Sequence, residues 1–210
     1  MDRMKACSLA KYFSYFLGVP FIPEELKRLD EPLILHISDT PSEIYPYLYR
    51  MIEQLKPHYI IHTGDLVDNI KLEYLKGKKM NYIESARSFF EHLKKIGSFD
   101  FYLVPGNHDC PETIINLWED VILLKEGATI ELGSLRIGTA HYFEKLPPQA
   151  DIYLYGHNLH IEAEYPKQQV YLNGIYNIHV ISGLTKKVFF IPYPMGTNSL
   201  RRIINGKIGI

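Results

Sequence analysis

At 210 residues, 46% of them hydrophobic, the chain is long enough for one substantial core. A formal net charge of −1 and a pI of about 6.8 exclude bulk attraction to nucleic acid or to an anionic membrane. Two cysteines far apart, Cys7 and Cys110, exclude a disulfide framework, so a reducing, cytoplasmic setting is expected, with Cys110 a buried, inert thiol.

Residues 1–31 read as a helical extension and 32–210 as the main domain. The apolar stretch at 11–19 is short and interrupted, as in an amphipathic helix packed on the domain rather than a signal peptide or membrane span. Residues 33–38 form a buried strand that ends at Asp39. A helix follows over 42–56, where Ile44, Leu48, Met51, Ile52 and Leu55 keep helical spacing and Pro46 sits in the first turn. The second strand is 59–63. Residues 70–79 are polar and basic, a mobile surface connection whose Lys71, Lys76, Lys78 and Lys79 make a solvated face. A second amphipathic helix covers 82–96, the third strand 99–104, and a short helix 113–117.

Then the texture changes. Short strand-like runs at 129–132, 135–140, 152–155, 169–172, 177–181, 187–191 and 202–208 are punctuated by Gly or Pro. A β-α-β-α-β half followed by a strand-rich half predicts an α/β protein of two packed sheets with helices outside.

The chemistry gathers where apolar runs end. Ser38-Asp39-Thr40-Pro41 closes the first strand, Gly64-Asp65-Leu66-Val67-Asp68 the second and Gly106-Asn107-His108-Asp109 the third. Ala140-His141 and Tyr155-Gly156-His157-Asn158-Leu159-His160 complete the set. Such ends converge on one side of an open sheet. Carboxylate, amide and imidazole donors without thiolate suit Mn, Fe or Zn. A bridging carboxylate can hold two ions about 3.5–4 Å apart, which clamps a phosphate and generates hydroxide. His36 and His62 lie inside apolar strands and read as satisfied core histidines. His58, His92 and His179 lack a motif, and most of the 16 tyrosines, such as Tyr45, Tyr47, Tyr49 and Tyr193, read as packing residues.

These strand ends resemble the calcineurin-like metallophosphoesterase superfamily, whose signature runs D-x-H, G-D-x-x-D, G-N-H-D/E, H and G-H-x-H. The resemblance covers about residues 33–175 and implies a four-layer α/β/β/α sandwich of two mixed sheets with a dinuclear metal site. Asp65 matches the carboxylate that bridges both ions. Asn107, His141 and His157 match the other ligands of one ion, and Asp39 a ligand of the second. His108 matches the side chain that helps protonate the leaving group, Asp68 the residue that orients it, and Asp109 a support for the Asn-His loop.

Two positions depart from the pattern. Pro41 and Leu159 stand where the family has ligand histidines, and both losses fall on the second ion. His160 is the candidate replacement if its loop bulges, and Glu43 is another. One tightly bound ion and a second that is weak or absent are therefore expected. The resemblance implies hydrolysis of a small phosphodiester or phosphomonoester; the near-neutral charge gives no nucleic-acid signal and the short apolar runs no membrane span, with a homo-oligomer left open. The alternative is a catalytically impaired scaffold, a use for which the retromer small subunit is the family precedent.

Overall fold

The run 33–37 has no polar face to turn to water, which suits a strand covered on both sides. A computed structural model of the chain, which describes residues 16–159, 169–204 and 207–208, places it there. In chain order the elements are α1 (Glu24–Lys27), β1 (Leu33–Ile37), α2 (Tyr45–Leu55), β2 (Tyr59–His62), α3 (Lys79–Ile96), β3 (Asp100–Leu103), α4 (Pro111–Leu117), β4 (Ile122–Leu123), β5 (Ala128–Leu132), β6 (Leu135–Thr139), β7 (Ile152–Tyr155), β8 (Val170–Asn173), β9 (Asn177–Ser182), β10 (Val188–Pro192) and α5 (Thr197–Leu200). A hairpin of two-residue strands, Ile203–Ile204 and Lys207–Ile208, follows where a single run over 202–208 was expected.

Two mixed sheets result. The larger has the order β10-β9-β1-β2-β3-β4, and the smaller β5-β6-β7-β8. Strands β1 to β4 run parallel, since α2, α3 and α4 supply the crossovers, while β9 returns antiparallel along β1. In the smaller sheet β5–β6 is antiparallel and β6–β7–β8 parallel.

Alternation along β1 sends Leu33, Leu35 and Ile37 toward the helices and Ile34 toward the second sheet. Helix α2 buries Leu48, Met51, Ile52 and Leu55, and α3 buries Tyr82, Ala86, Phe89, Phe90 and Leu93. Between the sheets, Ile34, Ile61 and Ile181 meet Leu135, Ile137, Ile152 and Leu154. Each such side chain contributes ~1.5–3 kcal/mol by leaving water. On the outer face of the smaller sheet, Tyr153 stacks on Tyr171 at 4.5 Å, and Phe143 of a 3-10 turn (Phe143–Lys145) lies against Tyr155. Among the described residues this turn is a thin fourth layer.

Ile22 and Leu26, N-terminal to β1, are buried in the helix-side core. The expected helix at 11–19 lies outside the described residues up to residue 15. Helix α3 starts at Lys79, earlier than the expected residue 82. The reading of 70–79 as a solvated connection needs a correction at its start. Ile70 and Lys71 are buried, and Lys71 forms an ion pair with Asp68. Cys110 is half-buried and accepts a hydrogen bond from the Thr113 hydroxyl.

The core histidines are satisfied as neutral rings. Gly64 N–H donates to His62 Nδ1 at 3.1 Å, which leaves the His62 Nε2 proton for Thr40 Oγ1 at 2.9 Å. His36 is 3.0 Å from His179 between their Nδ1 atoms, and its Nε2 meets Thr63 Oγ1 at 3.0 Å. Burial pushes His62 and His179 down to about 3, and burial and its neighbour His179 push His36 well down. The unfolded chain therefore takes up protons first as pH falls. The stability these rings contribute is complete above about pH 6.5 and is lost progressively toward pH 3. His179→Gln removes one of these groups. It should flatten the dependence of unfolding free energy on pH by about 1.4 kcal/mol per unit between about pH 6 and pH 4. Urea titrations across that range check this, and identical slopes would show that His179 protonates equally in both states.

Candidate metal centre

Parallel pairing continues past the ends of β1 and β2. Asp39 N–H donates to Gly64 O at 2.9 Å and Thr40 N–H to Asp65 O at 3.0 Å, so the two Asp corners are stitched together. Asp39, Asp65 and His157 all take left-handed backbone conformations, with φ of 50°, 56° and 51°. Non-glycine residues adopt that region at a cost, and the cost concentrates at functional corners.

Close approach needs glycine at two neighbouring positions. A Cβ on Gly106 would lie 2.3 Å from Asp65 Oδ1, and one on Gly156 would lie 2.4 Å from Asp39 Oδ2. These residues let the third strand end and the smaller sheet's loop reach the Asp corners.

One ligand atom each from Asp39, Asp65, His141 and His157 lies within 4.8 Å of the others. Asp65, Asp68 and His108 form a second group on the same criterion. The resemblance divides Asp39 from His141 and His157, whereas the structure gathers all three around Asp65. Asn107 Oδ1 lies 3.2 Å from His141 Nε2, on the rim of the first group. His141 Nδ1 donates to Thr63 O at 2.7 Å, so its Nε2 faces inward. Asp109 holds the frame, accepting from Asp65 N–H at 2.8 Å, Gly106 N–H at 2.9 Å, Leu66 N–H at 2.9 Å and the Tyr82 hydroxyl at 3.0 Å.

Neither Pro41 nor Glu43 joins the cluster. The Pro41 carbonyl accepts from Ile44 N–H at 3.1 Å, and exposed Glu43 accepts from Asn69 Nδ2 at 3.2 Å. The Leu159 carbonyl accepts from the Tyr176 hydroxyl. His160 lies outside the described residues.

Three charged neighbours carry no motif. Arg201, buried, donates Nε to Asp39 O at 2.6 Å and Nη2 to Ser38 O at 3.0 Å, and lies 4.2 Å above the Tyr193 ring. Lys71 pairs with Asp68. Glu73 accepts from Asn107 Nδ2 at 2.7 Å and stands 3.9 Å from His108 Nδ1. His108 thus faces Glu73, while Asp68 is engaged by Lys71. Asp68 at i−3 could have marked Lys71 as a paired residue. No local pattern marks Arg201 or Glu73.

Burial and mutual repulsion act on the clustered carboxylates. Burial, with Asp68 and Asp39 adding to it, drives Asp65 well above the usual carboxylate range against the pull of His141. Burial and Asp39 raise Asp68 to about 6 despite Lys71. Burial opposes ionisation of Asp39 too, but His141, Arg201 and the Ser38 hydroxyl together hold it low. Burial works against protonated His141, yet Asp65 and Asp39 raise it. Burial, then Lys71, lowers His108 to about 4. His157 Nδ1 is buried without a hydrogen-bond partner among the described residues. An orphaned imidazole nitrogen beside crowded carboxylates fits a divalent cation, and the oxygen and nitrogen donor set fits Mn, Fe or Zn.

Comparisons with known proteins bear on the family and the fold. Residues 32–194 match the family model described as calcineurin-like phosphoesterase. No curated protein matches the chain significantly. The solved structure of a novel archaeal phosphodiesterase is similar at 16% identity, over 76% of this chain and 99% of that one, with a TM-score of 0.53. Another solved structure reaches a TM-score of 0.55 at 12% identity, over 78% and 99% of the two chains. Yfce, a phosphoesterase from E. coli, aligns at 13% identity over 77% and 98%, with a TM-score of 0.48. The first two likenesses concern the fold, and the family match spans most of the chain. The chain belongs to the calcineurin-like phosphoesterase family.

Proposed function

We propose that the chain is a metal-dependent phosphoesterase that cleaves a small phosphodiester or phosphomonoester at a centre built around one tightly held divalent ion, with manganese the first candidate. The observation that carries this reading is the convergence of Asp39, Asp65, His141 and His157 within 4.8 Å, next to Asn107 and His108. These residues would hold the ion, which when bound supplies a Lewis acid and a water of lowered pKa.

The chain's own groups do the rest. Asp65 Oδ1 accepts from the backbone N–H of His108 at 2.9 Å and so fixes the imidazole beside the cluster. With its pKa near 4, His108 is neutral at pH 7 and its one N–H hydrogen-bonds a phosphoryl or leaving-group oxygen. An arriving phosphate anion raises the proton affinity of the ring, as Glu73 does now, and so increases the share of imidazolium, the form that passes a proton to the departing oxygen. Asp68 and Asp109 hold the surrounding turn and loop. The pocket beside Asn107, lined by Leu72, Glu73, Lys79 and Cys110 with a volume of about 360 Å³, suits a compact ester.

The test is hydrolysis of an aryl phosphodiester and an aryl phosphomonoester with added Mn²⁺, against a chelator control. Metal-dependent release from either supports the reading. No release with Mn, Fe or Zn favours the scaffold alternative. Among the described residues no helix is long and apolar enough to cross a membrane.

A further inference from the structure

Lys71 is a buried cation that neither the motifs nor the metal cluster accounts for. It is 1% exposed, and its ammonium has one hydrogen-bond partner among the described residues, Asp68. An ammonium carries three donors. Burying a cation with two of them unspent is costly unless further acceptors complete the set, and an anion is the strongest of these. The anion would arrive from the centre, because the Asp68 carboxylate shares its group with Asp65 and His108.

Position sharpens the point. Asp68 N–H donates to Thr40 O at 3.1 Å, and the Ser42 N–H donates to Asn69 Oδ1 at 3.0 Å. The turn that carries Lys71 is therefore sewn to the loop that contains Pro41, where a ligand histidine is absent. Charge balance points the same way. Asp39, Asp65, Asp68 and Asp109 gather four carboxylates, and Lys71 and Arg201 are the buried cations among the described residues. One divalent ion brings that set to neutrality. Arg201 spends four of its five N–H donors on Asp39 O, Ser38 O, Ile175 O and Asn198 Oδ1, which leaves one, whereas Lys71 keeps two of three.

We propose that Lys71 binds a phosphoryl oxygen of the substrate and supplies, as a fixed ammonium, the positive charge that a second metal ion would otherwise bring. This rests on the phosphoesterase reading. Glu73 and Tyr74, two and three positions on, lie against His108 and cover this approach, so the anion enters by displacing the Glu73 carboxylate from Asn107.

The test titrates inorganic phosphate into the metal-loaded chain by calorimetry, for wild type, Lys71→Gln and Lys71→Arg, with metal content measured on the same samples. A charge-assisted hydrogen bond in a buried site predicts about 10–100-fold weaker phosphate binding in Lys71→Gln. Lys71→Arg should stay within about threefold of wild type, and all three should carry one ion per chain. Thermal unfolding checks that the variants are folded. If Lys71→Gln fails to fold, Lys71→Arg against Lys71→Met gives the same comparison. Equal phosphate affinity in wild type and Lys71→Gln at equal metal content overturns the proposal and leaves the phosphoesterase reading intact. If wild type neither retains metal nor hydrolyses an ester, that reading fails instead. Phosphate titration of the metal-free chain then decides Lys71 alone: weaker binding in Lys71→Gln supports it, and equal binding overturns it.

Discussion

Asp65→Asn will abolish tight metal retention and reduce turnover by at least about 100-fold, while the metal-free protein becomes no less stable than wild type. The two halves have one cause. Asp65 is buried at 1% exposure, with Oδ2 3.7 Å from His141 Nε2 and Oδ1 accepting from His108 N–H at 2.9 Å. Asparagine keeps the shape and the Oδ1 acceptor but removes the charge that a cation needs. Without the ion, that charge is a burden, since burial and the neighbouring Asp68 and Asp39 already drive the carboxyl well up. Ligand linkage makes the contrast measurable. At 100 times its dissociation constant an ion stabilises the fold by about 2.7 kcal/mol. For a domain of this size that raises Tm by roughly 5–10 °C. Wild type should show this rise on adding Mn²⁺, and Asp65→Asn should show almost none. A full metal-induced rise in the variant would remove Asp65 from the centre.

His108→Ala will lower kcat by about 10²–10⁴-fold with metal content unchanged, the usual loss on deleting a general acid. The imidazole is absent from the Asp39, Asp65, His141 and His157 group, so its removal leaves the ion's donors in place. Its backbone N–H, which alanine retains, makes the bond to Asp65. An ester with a good leaving group, such as a nitrophenolate, needs less protonation and should lose less than an alkyl ester. Comparing the two substrates separates proton donation from simple positioning, which would cost both alike.

Much of this centre was readable from strand ends. An apolar run closed by Gly-Asp or by Gly-Asn-His-Asp states both the element and its chemistry, because glycine permits the close approach and the polar group follows at once. Arg201 was not readable. It lies far along the chain from Asp39, and only the return of the chain past Tyr193 brings its guanidinium onto the Ser38 and Asp39 carbonyls. Lys71 misled for another reason. Beside Lys76, Lys78 and Lys79 it looks like part of a charged face, and nothing in composition marks Lys71 as turning inward. The pairing of Asp39 with His141 and His157 depends on two sheets meeting, and spacing along one chain does not encode that distance. The core histidines followed their apolar neighbours, as expected for His36 and His62.

The proposed function centres on a single divalent ion held by Asp39, Asp65, His141 and His157. Metal analysis of the purified chain after loading with Mn²⁺ and removal of excess, on wild type beside His157→Ala, addresses it most directly. One ion per wild-type chain, lost in His157→Ala together with metal-dependent ester hydrolysis, is the predicted result. Two tightly held ions per wild-type chain, or an ion retained in full by His157→Ala, would contradict it.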